Sequence, residues 1–189
     1  MSFELCSRPR NAAATREAIL EAANKRFTAE SYDQVGMRDI ARDVGVDPAL
    51  ISRYFGSKED LFTSVVQKCG DGSDLTAGDR ATFGERVAHD LVYGPKKEFK
   101  LRWLLLMLRS ITSPKAAEII QRGSRDQFYK PFTDWVGGDD AEIKARMTAG
   151  FIMGLTVSRD ITGGFEMNPD QCERFKARIA TTLQGFIDS

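Results

Sequence analysis

Apolar positions along this chain recur three and four residues apart. No stretch sustains the two-residue alternation of β-branched residues that a half-buried strand needs. The pattern predicts an all-α protein. A first helix, at about 13–29, carries Ile19, Ala22, Ala23 and Phe27 on one stripe. A second, at about 37–44, turns Ile40, Ala41 and Val44 inward and ends at Gly45. The third is short. Asp47 is placed to cap it, Pro48 takes the first helical position, where a missing N–H removes no bond, and Gly56 stops it. Ser57 and Asp60 then have the spacing of a capping box, the serine accepting from the backbone and the aspartate reaching back. They open a fourth helix that runs to about Lys68.

Residues 70–79, GDGSDLTAGD, are polar and glycine-rich and read as a linker. Beyond them the periodicity predicts helices at about 80–92, 97–112, 114–136, 140–162 and 168–187. Pro131 should kink or divide the third of these, because its ring removes a helical hydrogen bond. Gly137-Gly138 and Gly163-Gly164 mark stops, and Asn168-Pro169 supplies a cap and a proline for the last helix.

Composition narrows the function classes. Of 189 residues 42% are hydrophobic and 29% charged, the balance of an ordinary globular chain. The longest apolar block, Trp103–Leu108, lies between Arg102 and Arg109 and falls far short of the ~20 residues that span a bilayer. No apolar run follows the N-terminus as in a signal peptide, and a cytoplasmic location without membrane attachment is expected. Cys6, Cys69 and Cys172 are too scattered for a disulfide framework, and with His89 as the single histidine they make no ordinary zinc site. No nucleophile elbow, phosphate loop, HExxH or dinucleotide fingerprint occurs, so neither an enzyme nor a cofactor is expected. Lys and Arg number 27, as do Asp and Glu, so bulk charge does not point to nucleic acid. Any DNA contact has to come from local placement. The first sixteen residues hold three arginines against Glu4, and an arm through Arg8 and Arg10, disordered without DNA, is expected to add charge.

Two helices joined by a three- to four-residue turn, the second free to enter a major groove, make a helix-turn-helix. The sharp crossing dictates residue sizes. Ala41 is small where the helices meet, Gly45 permits the positive φ of the turn, and Ile51 plugs the shared core.

The same residues carry a resemblance. Residues 15–66, from TREAIL through Asp39-Ile40-Ala41, Gly45-Val46 and Tyr54-Phe55-Gly56-Ser57-Lys58-Glu59, resemble the N-terminal domain of the tetracycline-repressor (TetR) family of bacterial regulators. The resemblance implies a DNA-binding head at 1–57 and a helical ligand-binding and dimerising body at 58–189, with 58–68 as connecting helix. It also implies repression relieved by a small molecule. Two positions depart from the family pattern. Gly36 stands where a Thr or Ser usually caps the second helix, and Ala49-Leu50-Ile51-Ser52 replaces the common Gly-Thr-Leu-Tyr. The operator of a relative therefore does not transfer.

On this resemblance Arg38 and Lys58 sit where the family meets phosphates, and Pro48, Ala49, Leu50, Ser52, Arg53 and Tyr54 belong to the helix that faces the groove. Arg53 is the candidate for a bidentate guanine contact, with a phosphate contact as its alternative. Leu50 either meets a thymine methyl or fills the small core, and Tyr54 either offers its hydroxyl to a phosphate or packs inward. Among the middle helices Trp103, Met107, Phe128, Phe132 and Trp135 are candidate pocket residues, against the plainer reading that they are core. His89 is expected at the surface. The last two helices are apolar on more than one face, and Phe151, Gly154, Leu155, Phe175, Ile179 and Leu183 are the expected contacts of a homodimer that reads a palindromic operator. A helical protein-interaction adaptor that keeps a helix-turn-helix is the alternative function.

Overall fold

The computed structural model describes residues 8–69, 73–96, 98–162 and 164–189. Eleven α-helices and no strand occur among them. The first four are α1 (Arg8–Ala29), α2 (Met37–Val44), α3 (Pro48–Phe55) and α4 (Lys58–Lys68). Then come α5 (Ser73–Thr76), α6 (Phe83–Val92), α7 (Glu98–Ser110) and α8 (Pro114–Ser124). The last are α9 (Lys130–Val136), α10 (Ala141–Asp160) and α11 (Pro169–Asp188).

Two boundaries differ from expectation, and one expected division is present. The helical backbone of α1 starts at Arg8 rather than near Ala13, since Pro9 falls in the first turn, where no intrahelical donor is lost. The arm expected through Arg10 is shortened accordingly, and its remainder, with Cys6, lies outside the described residues. The stretch 70–79 is not all linker, because α5 forms within it and the Leu75 carbonyl accepts from Arg86 at 3.2 Å. The helix expected at 114–136 is divided, as Pro131 required. A π-turn over Arg125–Tyr129 separates α8 from α9, and Gln127, whose carbonyl Pro131 cannot reach, lies inside that wider winding.

Packing groups the helices into two compact units. The first joins α1 to α4 with Arg102–Gly123, a grouping different from the 57/58 division expected of the sequence. Its core explains the grouping. Leu106, Ala116, Ile119 and Ile120 are buried in the same cluster as Ile19, Phe27, Ile40, Ala41, Ile51, Leu61 and Phe62. Phe27 and Phe62 meet edge-on at 4.8 Å, and Tyr32 meets Phe62 at 5.0 Å. Polar ties reinforce the packing, with Lys115 to Glu59 at 2.9 Å and the Ser113 hydroxyl to Asp33 at 3.0 Å. Cys69 closes this core, and burial pushes its thiol up to about 11, away from thiolate chemistry at neutral pH.

The second unit packs α6 tightly on α11. A side chain at Gly84 would sit 2.2 Å from the Ala180 carbonyl oxygen, so glycine alone permits this approach, and its N–H donates to Gln184 at 2.9 Å. Phe83, Val87, Ala88 and Leu91 share this core with Phe132, Val136, Ile179, Leu183 and Ile187. Arg159, almost fully buried, donates to the Leu91 carbonyl at 2.9 Å and pairs with Asp160 at 2.8 Å. Two residues expected at a dimer contact are corrected here. Ile179 and Leu183 face α6 and fill the subunit's own interior, since the apolar stripe of α11 is consumed within the chain.

Candidate nucleic-acid interface

The helix-turn-helix is held by its caps. Gly45 adopts φ +74°, its N–H donates to the Arg42 carbonyl at 3.2 Å, and the Val46 N–H donates to the Ala41 carbonyl at 3.0 Å. These two bonds are a Schellman closure, which satisfies the last carbonyls of α2 and sets the exit direction of the chain. Asp47 then accepts from the Ala49 N–H at 2.7 Å and starts α3 on Pro48. At the far end Gly56 terminates α3, and Ser57 and Asp60 close a full capping box on α4, the Asp60 N–H donating at 3.1 Å and the Ser57 N–H at 3.0 Å. Gly36 offers α2 no side-chain cap.

These constraints sort α3 into two faces. Ile51 and Phe55 are buried, Leu50 and Tyr54 are half-buried, and Pro48, Ala49, Ser52 and Arg53 are exposed. Arg38, in the first turn of α2, is exposed too, and neither it nor Arg53 has an ion-pair partner among the described residues. The neighbouring acids are occupied. Asp43 is gripped by Arg26 through both oxygens at 2.6 and 2.8 Å, a fork that ties α1 to α2 and holds this carboxyl below its ordinary range. Asp39 pairs with Arg42, and Asp47 is spent on the cap.

Lys58 sits differently from a free surface lysine. Its ammonium lies 4.4 Å from the centroid of the Tyr32 ring, half-buried, and desolvation pushes its pKa down against the opposing pull of Asp33 and Glu59. Burial likewise raises the Tyr32 phenol to about 12, and its hydroxyl has no hydrogen-bond partner among the described residues.

Residues 19–65 match the family described as bacterial regulatory proteins, tetR family, and residues 81–187 match the tetracyclin repressor-like C-terminal domain. The chain belongs to the TetR family. It is thereby a DNA-binding transcriptional regulator, and proteins of this family are not enzymes. A stretch of 77 residues is 36% identical to the HTH-type transcriptional regulator BetI of Rhizobium meliloti, covering 39% of this chain and 38% of that protein. This TetR-family chain also shares its fold with NalD, described as the secondary repressor of the MexAB-OprM multidrug efflux pump in Pseudomonas aeruginosa. That match has a TM-score of 0.65 and 22% identity, over 89% of this chain and 95% of that one. Salmonella enterica GusR matches with a TM-score of 0.71 at 16% identity, over 98% and 100%. A regulator from Saccharomonospora viridis in complex with choline gives 0.58 at 19% identity, over 91% and 96%.

The residues expected to line one pocket of the TetR-type body are divided. Trp103 and Met107 pack against the first unit's core, whereas Phe128, Phe132 and Trp135 belong to the second, where Phe132 stacks on Phe128 at 5.4 Å and on Trp135 at 5.5 Å. Fully buried in the second unit, the Thr148 hydroxyl has no hydrogen-bond partner among the described residues. His89 is exposed, its ring 5.5 Å from Tyr93. The Arg26–Asp43 fork was not foreseen, because charges seventeen residues apart on separate helices follow no spacing rule.

Proposed function

We propose that this TetR-family regulator binds a palindromic operator as a homodimer in the cytoplasm, represses transcription there, and is released by a small molecule. The observation that carries the DNA-reading part is the division of α3, whose inner face is locked by Ile51 and Phe55 while Ser52 and Arg53 stand free with the nearby carboxylates already engaged. A free guanidinium on the outer row of such a helix can meet the O6 and N7 of guanine together, a pairing that discriminates by about 1–3 kcal/mol. Arg53→Ala should therefore weaken operator binding roughly ten- to a hundredfold per half-site and leave random-sequence binding much less affected. Equal losses on both DNAs would sink the base-reading role and leave Arg53 a phosphate contact.

For Lys58 we propose a phosphate contact made at the first turn of α4, with Tyr32 as the platform that holds the ammonium. Lys58→Ala should weaken binding to every sequence alike and lower the salt-dependence slope by about one per bound head. An unchanged slope would make Lys58 a partner of Tyr32 only.

Support for the dimer comes from α10. Ile143, Met147 and Ile161 remain 55%, 49% and 51% exposed, and a side chain added at Gly150 or Gly154 would meet nothing within 4 Å. These positions follow one another three, four or seven residues apart and form a small, apolar face with no cover among the described residues. Phe151 and Leu155 border it, Phe151 meeting Phe186 of α11 edge-on at 5.7 Å, and Phe175 packs on Phe165 at 4.8 Å. Ligand release is supported by the fold shared with the choline-bound regulator and by the aromatic cluster around Phe132, with Thr148 as a polar group free to take one hydrogen bond. Gel shifts on DNA from the upstream region of its own gene separate this reading from an adaptor, which would give no sequence-dependent shift.

A further inference from the structure

We infer that Arg16 is a phosphate clamp beside the recognition helix, an assignment that rests on the DNA-reading function proposed above. Arg16 lies on α1, outside the helix-turn-helix itself, yet its guanidinium carbon stands 4.7 Å from the centroid of the Phe55 ring at the last position of α3. Phe55 follows Ser52 by three residues and Pro48 by seven, so all three belong to one row of α3. The row is exposed at Pro48 and Ser52 and closes on Phe55. Arg16 thus adds one positive group where the row exposed at Pro48 and Ser52 ends on the buried Phe55.

Stacking decides what this group can do. A guanidinium laid on an aromatic face keeps its N–H donors at the edge, in the plane that meets two phosphate oxygens together. It loses side-chain freedom in advance, so less is lost when an anion arrives. No acid cancels the charge: the adjacent Glu17 is engaged by Lys68, and Arg16 is exposed with no ion-pair partner among the described residues. A guanidinium needed only to shield Phe55 would gain from such a partner. Left unpaired beside Phe55, where the exposed row of α3 ends, it matches the backbone of the duplex that α3 enters.

The test is a salt titration with the full chain on operator and on random duplex DNA. Arg16→Ala should bind both DNAs roughly tenfold more weakly per bound head, the loss of one charge-assisted contact in each. Its log–log salt slope should fall by about one per bound head. Arg16→Lys keeps the charge without the planar stack; its slope should stay near that of the natural protein while its affinity falls. Circular dichroism melts of both variants should stay close to the natural protein, since the site is on the surface. A slope unchanged by Arg16→Ala, whatever happens to affinity or melting, overturns the clamp and leaves Arg16 a cover for Phe55. Absence of any DNA binding by the natural protein would instead remove the DNA-reading function and the clamp with it.

Discussion

Met147→Glu combined with Gly154→Glu should give a folded single chain that binds operator at least about a hundredfold more weakly than the natural protein. The two positions are seven residues apart, two turns along the face of α10, and both are exposed. Neither change touches the core of the second unit, and a side chain at position 154 has open space. Glutamate is also the better helix former than glycine, by roughly half a kcal/mol or more, so the protomer loses nothing in α10 itself. What it loses is the apolar surface on which two copies would close. Burying four glutamates in a two-fold contact would cost several kcal/mol unless each found a partner. Two linked heads gain about 10²–10⁴ in avidity over one, and this gain disappears with the dimer. Light scattering at micromolar concentration and an operator titration check both halves. A natural protein with the mass of one chain would falsify the dimer, and a dimeric variant with full operator affinity would move the contact away from α10.

Local and distant contacts differ in how readable they are from the sequence. Features decided by neighbours in the chain were legible: Gly45 as the left-handed stop, Asp47 as the cap of α3, the Ser57–Asp60 box, and Asn168 with Pro169 as the start of α11. Each depends on a residue type at a fixed offset, and nothing distant can override it. The core of the head was legible for the same reason, because a sharp helix crossing admits few side chains at positions 41, 45 and 51. The body was harder. An apolar stripe reports that a face is covered and is silent about what covers it, so Ile179 and Leu183 read as a dimer contact although α6 takes them. Trp103 and Phe132 likewise read as neighbours in one pocket, although each has its own core. Nothing in the spacing of α8 announced that Lys115 and Ser113 would reach back to Glu59 and Asp33.

Ile51→Ala should lower the melting temperature by about 10 °C and remove operator binding at temperatures where the natural protein is still fully active. Ile51 is completely buried and shares its cluster with Ile40 and Ala41 of α2 and with Phe55 of its own helix. The eight residues of α3 are too few for a helix to persist alone, since isolated helices below about 12–15 residues are marginal in water. Its position therefore depends on the caps at either end and on its two buried side chains, Ile51 and Phe55. Removing three carbons leaves a cavity that α2 and α3 can close only by shifting together, at a cost of about 2–5 kcal/mol. At roughly 2–4 °C per kcal/mol for a chain of this size, that is the expected fall in melting temperature. A shift of the helices also carries Ser52 and Arg53 off their register, so affinity should fall even where the variant remains folded. Ile51→Val removes one carbon and should cost only about 0.5–1.5 kcal/mol, with operator binding retained. If Ile51→Ala melts and binds as the natural protein does, α3 is held by its caps and Phe55, and the role given to Ile51 in the packing of the reading head is wrong.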